Sequence, residues 1–137
     1  MIDIKLLEQL CLCNGISGDE GNVRNLIINE IKDCADDIKT DNLGNLIVFK
    51  KGKKSAKSKL MVSAHMDEVG LMVTDITSDG YLKFDEVGGI DRRVLPGKRV
   101  CVGRNGLNGV IGLKPIHLTN GDEKTAVPKM SDMYIDI

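Results

Sequence analysis

Apolar residues recur at helical spacing along the first part of the chain. Leu6, Leu7, Leu10 and Cys11 form a stripe behind Asp3, a side chain suited to an N-cap, and Asn14-Gly15 closes the segment. Val23, Leu26, Ile27, Ile31 and Cys34 then return every three or four residues, which predicts the buried face of a second helix of about four to five turns. Ser17 and Glu20 precede it at capping-box spacing, where each side chain satisfies an orphan backbone N–H at a helix start. After Cys34 the texture changes. Residues 37–41 and 45–51 read as two short strands around the turn Asn42-Leu-Gly-Asn45. Residues 59–65, Lys-Leu-Met-Val-Ser-Ala-His, form a near-continuous apolar run, which predicts a strand covered on both faces, as in a helix-flanked sheet.

Beyond Asp67 no helical pattern recurs. Strand-like runs at 69–76, 81–85, 98–103, 108–113 and 133–137 alternate with the turn signals Ser78-Asp-Gly80, Gly88-Gly89, Pro96-Gly97 and Asn105-Gly106. Short strands with turns at this spacing indicate a small β-barrel or sandwich. The pattern therefore splits near residue 69 into an α/β segment and an all-β segment. Within the first segment, Lys50, Lys51, Lys53, Lys54, Lys57 and Lys59 place six lysines in ten residues among Gly and Ser. A phosphate-binding patch is one reading; a solvated loop is the favoured one, because no aromatic residue and no net basic charge accompany it.

Composition narrows the function classes. The 137 residues suit one domain or two small lobes, and 19 basic against 20 acidic residues leave a formal charge of −1. Balanced charge and 3% aromatic residues argue against a nucleic-acid binder. No apolar stretch approaches the ~20 residues of a membrane-spanning helix. The charged N-terminus lacks the apolar core of a secretory signal, so the expected location is cytoplasmic. Cys11, Cys13, Cys34 and Cys101 have no paired CxxC spacing and are expected to be buried, reduced thiols, with a zinc site or disulfide as the alternatives.

The strongest chemical candidate is His65-Met-Asp67-Glu68 at the end of the predicted buried strand, where ligands bind in open α/β sheets. An imidazole there can ligate a metal through one nitrogen, while a carboxylate two residues on, on the same side of an extended chain, takes the proton of the other. A hydrogen-bonded structural histidine satisfies the same spacing, and one histidine cannot hold a catalytic metal. His117, beside a proline, reads as structural. The glycine-rich loops precede no helix, which removes a P-loop reading, and no GxSxG elbow occurs.

Taken in order, several stretches resemble the N-terminal part of the M42 family of metallo-aminopeptidases, some of whose members are labelled glutamyl or deblocking aminopeptidase or endoglucanase. They are Gly15-Ile-Ser-Gly18 with Glu20, Asp41-Asn-Leu-Gly-Asn45, Ala64-His-Met-Asp-Glu-Val-Gly-Leu-Met72, Gly88-Gly-Ile-Asp91 with Val94-Leu-Pro-Gly97, Gly109-Val-Ile-Gly112 with Lys114-Pro115 and His117, and Met133-Tyr-Ile-Asp-Ile137.

The resemblance implies an α/β fold: the first part of a phosphorylase/hydrolase-like α/β/α aminopeptidase domain in residues 1–69, then an incomplete PDZ-like β-barrel dimerisation domain in residues 70–137. It implies a cytoplasmic exopeptidase that removes N-terminal residues from peptides with two divalent ions, zinc or cobalt, and that forms a homo-oligomer, a dimer or a dodecamer. His65 matches a metal ligand and Asp67 the aspartate that orients it, while His117 matches a loop of the β domain. The bridging aspartate, the general-base glutamate and the remaining ligands have no match, so the chain on its own is expected to be inactive and to hold no ion, or one ion weakly. A non-catalytic interaction module is the rival reading. An endoglucanase is the weaker rival, because two Tyr, two Phe and no Trp offer poor sugar platforms.

Overall fold

The computed structural model describes residues 3–54, 57–114 and 126–137. The chain forms two compact units, Met1–Glu68 and Val69–Ile137.

The first unit begins with helix α1 (Ile4–Leu12), capped by Asp3, whose Oδ1 accepts the N–H groups of Lys5 at 3.0 Å and Leu6 at 3.3 Å. Helix α2 (Gly21–Ile31) buries Val23 and half-buries Leu26, Ile27 and Ile31. It is shorter than its apolar pattern predicts, because residues 32–34 tighten into a turn in which Cys34 N–H donates to the Ile31 carbonyl at 2.8 Å. The expected capping box does not form. Glu20 is itself the N-cap, its carboxylate accepts the Gly18 N–H at 2.7 Å, and the Ser17 hydroxyl donates to Asp67 instead. Because the helix starts at Gly21 with Glu20 as its cap, Ser17 lies three residues too early to accept the N–H groups of the first turn, and its hydroxyl is free to donate to the carboxylate.

Strands β1 (Asp37–Thr40) and β2 (Leu46–Phe49) pair antiparallel from Asp37↔Phe49 to Thr40↔Leu46. Asp41 holds the turn between them. Its Oδ1 accepts Leu43 N–H at 3.0 Å and Asn45 N–H at 2.8 Å, and its Oδ2 accepts the Asn45 side-chain amide at 2.8 Å. These bonds, those of Asn45 foremost, keep the Asp41 carboxyl below the usual carboxylate range. The run at 59–65 departs from expectation, because it pairs as no strand, and Leu60, Met61 and Val62 are 90%, 88% and 85% exposed. A strand covered on both faces needs neighbours on both sides. Among the described residues the sheet of this unit has only two strands, β1 and β2. The cysteines also differ from expectation: Cys11, Cys34 and Cys101 are exposed and Cys13 is half-buried, since the faces that carry them lie uncovered.

The second unit is a five-stranded antiparallel sheet of β3 (Gly70–Ile76), β4 (Leu82–Val87), β5 (Arg99–Val102), β6 (Leu107–Leu113) and β7 (Met133–Asp136), in the order β3-β4-β7-β6-β5. Its edges are β3 and β5, so among the described residues the sheet is open. The register aligns Leu82 with Ile135 and Ile135 with Ile111. That row of apolar residues crosses three strands, and with Phe84, Leu95, Met130 and Met133 it forms the core. Tyr134 pairs with Gly112 on β6, and its ring lies where a Cβ on Gly112 would stand, only 2.5 Å from that position. A glycine is therefore required there by close approach. Tyr134 also meets Tyr81, with ring centroids 4.7 Å apart.

After β4 the chain turns through a 3₁₀ turn at Arg92–Val94, capped by Asp91. The Arg93 guanidinium bonds both Asp91 oxygens, with Nε–Oδ1 at 2.9 Å and Nη2–Oδ2 at 2.6 Å, and holds the Asp91 pKa down at about 2. A depressed carboxyl contributes stability above its unfolded-state value, ordinarily 3.8, and loses it as pH falls toward 2. Asp91→Asn is thus expected to lower the melting temperature modestly at pH 7, because the pair is solvent-exposed. The gap between variant and parent should close between about pH 4 and 2 in a series of thermal melts. A gap that persists unchanged at pH 2 would count against this pair.

Among the described residues no helix is long and apolar enough to cross a membrane.

Candidate metal centre

His65 and Asp67 follow the extended run at the end of the first unit, where the backbone becomes fixed by a loop fifty residues earlier in sequence. Glu68 N–H donates to the Gly15 carbonyl at 2.7 Å, Gly15 N–H donates to Glu68 Oε1 at 3.3 Å, and Ile16 and Glu68 form an isolated parallel bridge. Gly15 can approach so closely only without a side chain: a Cβ there would lie 2.5 Å from Val23 Cγ2. The buried Val23 of α2 thereby sets where the 66–68 backbone lies.

On this frame the His65 ring places Nδ1 3.0 Å from Asp67 Oδ1 and 3.0 Å from the Asp67 carbonyl oxygen. Both neighbours are acceptors, so the proton belongs on Nδ1 and the lone pair on Nε2. The side chain is 85% exposed, which leaves Nε2 accessible to a ligand. The other carboxylate oxygen, Asp67 Oδ2, accepts from Ser17 Oγ. That hydroxyl is the main cause of an Asp67 pKa below the usual carboxylate range; partial burial opposes it, and the bond to His65 adds to it. The i, i+2 spacing of His65 and Asp67 anticipated their contact. The spacing around Ser17 suggests a helix cap, and its partner fifty residues away leaves no local signal.

The pair borders a groove of about 690 Å³ between the β1–β2 hairpin and residues 61–67, which Glu20, Asp41 and Asp67 also line. Its walls include Leu43, Ile47, Met61 and Val62, all largely exposed. Among the described residues no group of three or more His, Cys, Asp or Glu is placed to hold a metal ion. The arrangement fits one imidazole donor with its orienting carboxylate and no complete ligand set. His117 lies outside the described residues.

Comparison with known proteins adds an independent line. A family profile described as M42 glutamyl aminopeptidase matches residues 44–137. A putative aminopeptidase of Acetivibrio thermocellus is 46% identical over 132 residues, covering 96% of this chain and 37% of its own length. Among solved structures, the TET aminopeptidase of the marine sediment archaeon Thaumarchaeota archaeon SCGC AB-539-E09 superposes with a TM-score of 0.88 at 34% identity, over 98% of this chain and 37% of that one. The Pyrococcus horikoshii TET1 peptidase, which can assemble into a tetrahedron or a large octahedral shell, gives 0.81 at 44% identity, over 98% and 40%. A Thermotoga maritima protein titled endoglucanase gives 0.79 at 45% identity, over 95% and 37%. The chain thus spans only 37% of the length of the Acetivibrio thermocellus relative and 38% of a putative aminopeptidase of Escherichia coli.

Proposed function

Since the chain belongs to the M42 glutamyl aminopeptidase family, we propose that it supplies one metal ligand and part of the scaffold of a two-metal aminopeptidase acting on peptide N-termini. The observation that carries this reading is the Asp67–His65 pair, with Nδ1 held by two oxygens at 3.0 Å and Nε2 left accessible. His65 binds through Nε2; Asp67 fixes the tautomer, aims the ring and raises its basicity. Zinc or cobalt ions, when bound, polarise the scissile carbonyl and activate water. Asp67, already hydrogen-bonded on both oxygens, orients and does not itself shuttle protons. The other donors and the general base come from outside the described residues, and the 137-residue chain alone is inactive, holding at most one ion weakly. The second unit is read as a PDZ-like dimerisation domain, and the whole enzyme as a cytoplasmic homo-oligomer, a dimer or a dodecamer.

The test is a chimera in which residues 1–137 replace the matching stretch of the Acetivibrio thermocellus relative. It is expected to hydrolyse aminoacyl-p-nitroanilides, to lose that activity to a chelator and to regain it with zinc or cobalt. A well-folded chimera that binds no metal and cleaves no aminoacyl substrate would sink the reading.

One observation favours a second reading, a non-catalytic interaction module. The second unit has a full core, whereas Val23 is the only buried apolar side chain described in the first. Under that reading the chimera is inactive while the 137-residue chain forms a stable dimer on sizing chromatography.

A further inference from the structure

We propose that Ser17 is a positioning residue for His65: by donating its hydroxyl to Asp67 Oδ2, it turns Oδ1 toward His65 Nδ1 and so sets which ring nitrogen is offered to a metal. The inference deepens the metal-ligand reading of His65 and rests on it. A carboxylate rotates broadly and nearly two-fold about its terminal torsion, so one bond to an exposed imidazole does not fix it. A second bond on the opposite oxygen does. Asp67 has that bond from Ser17, with the contact part-buried while His65 stands in solvent.

Ser17 is itself held at both ends of its loop. On one side Gly15 and Ile16 pair with Glu68, and on the other Asp19 N–H donates to the Ile16 carbonyl at 2.8 Å while Glu20 takes the Gly18 N–H at 2.7 Å. The hydroxyl has no part in capping α2, whose N-cap, Glu20, makes no side-chain bond to the helix N–H groups. A line of contacts therefore runs from Val23 through Gly15 and Ser17 to Asp67 and His65, from a buried side chain to an exposed ring nitrogen. Release of Oδ2 would let the carboxylate swing and leave the Asp67 carbonyl as the one steady acceptor for Nδ1–H, so a larger share of the imidazole would populate the Nε2–H tautomer, which has no lone pair at the accessible position.

The experiment uses the 137-residue chain with His117→Gln, so that one ¹⁵N-labelled imidazole remains, at a pH where that ring is neutral. Ring ¹⁵N shifts report the tautomer, and the same resonance reports Zn²⁺ added as the metal alone. The parent is expected to be predominantly the Nδ1–H form. Ser17→Ala should raise the Nε2–H form severalfold and require about tenfold more Zn²⁺ for half-maximal shift, the lower end of the range for groups that orient a ligand. Ser17→Thr, which keeps the hydroxyl, should restore both. Ser17→Cys, a near-isosteric but weak donor, should resemble Ala and covers the case in which Ala disturbs the loop. Parent-like tautomer and Zn²⁺ response in both the Ala and Cys variants would overturn the positioning role. A His65 resonance that ignores Zn²⁺ in the parent would overturn the metal reading itself, and the role of Ser17 with it.

Discussion

Truncation of Met133 to alanine is expected to destabilise the second unit by about 2–5 kcal/mol, the range for removing a large buried aliphatic side chain. Met133 is fully buried, at 0% relative exposure, on the central strand β7. It pairs with Leu113 on β6 and belongs to the cluster of Ile111, Ile135, Leu82, Phe84, Leu95 and Met130. Strands with ladders on both sides have little room to close a cavity, so the cost should lie well above that of an exposed site. The chain carries its own reporter: it has two tyrosines and no tryptophan, and the rings of Tyr81 and Tyr134 meet at a tilt in this unit. Urea unfolding followed by near-ultraviolet circular dichroism therefore reads the second unit directly. Met133→Leu, nearly volume-conserving, should cost less than about 1.5 kcal/mol. Met72→Ala on the edge strand β3, where the side chain is 58% exposed, should stay within about 0.5 kcal/mol. Equal effects at positions 133 and 72 would contradict the core described above.

His65→Ala in the active chimera is expected to lower kcat/KM for aminoacyl-p-nitroanilides far beyond the roughly 10–100-fold typical of groups that only orient a ligand. Asp67→Asn should fall within that range, because the amide can still meet the ring but no longer supports its basicity. The ordering is the test. Loss of a donor should exceed loss of its orienting group, and oligomer size on sizing chromatography should not change in either variant, since neither residue belongs to the unit proposed to dimerise. A His65→Ala chimera that retains activity within a few-fold would remove His65 from the reaction.

The local parts of this fold were readable from residue order. Asp3 as a cap, the apolar stripe of α2, and the strand-and-turn rhythm after residue 69 all depend on neighbours within a few positions. So does the His65–Asp67 contact, whose two-residue spacing places both groups on one side of an extended chain. What was not readable depends on distant partners. Ser17 has capping-box spacing, yet the helix starts three residues later with Glu20 as its cap, and the hydroxyl donates to a carboxylate fifty residues on. The placement of β7 between β4 and β6 could not be taken from strand order, since the last strand in sequence is central in the sheet. The run at 59–65 carries a buried-strand pattern that no described neighbour satisfies, and the thiols follow the same logic. An apolar pattern records that a surface is to be covered, not what covers it.

The apolar groove beside His65 also has a meaning in time. If this stretch were the first part of a polypeptide as long as the relatives, the remainder would take on the order of ten seconds or more to follow at ~5–20 residues per second. Throughout such an interval Leu43, Ile47, Leu60, Met61 and Val62, exposed in this chain, would stand open to water. The nascent chain would then pass through a window in which a chaperone or a neighbouring nascent chain competes for the same surface. The assembly yield of such an enzyme would depend on translation speed and not on the stability of its finished state alone.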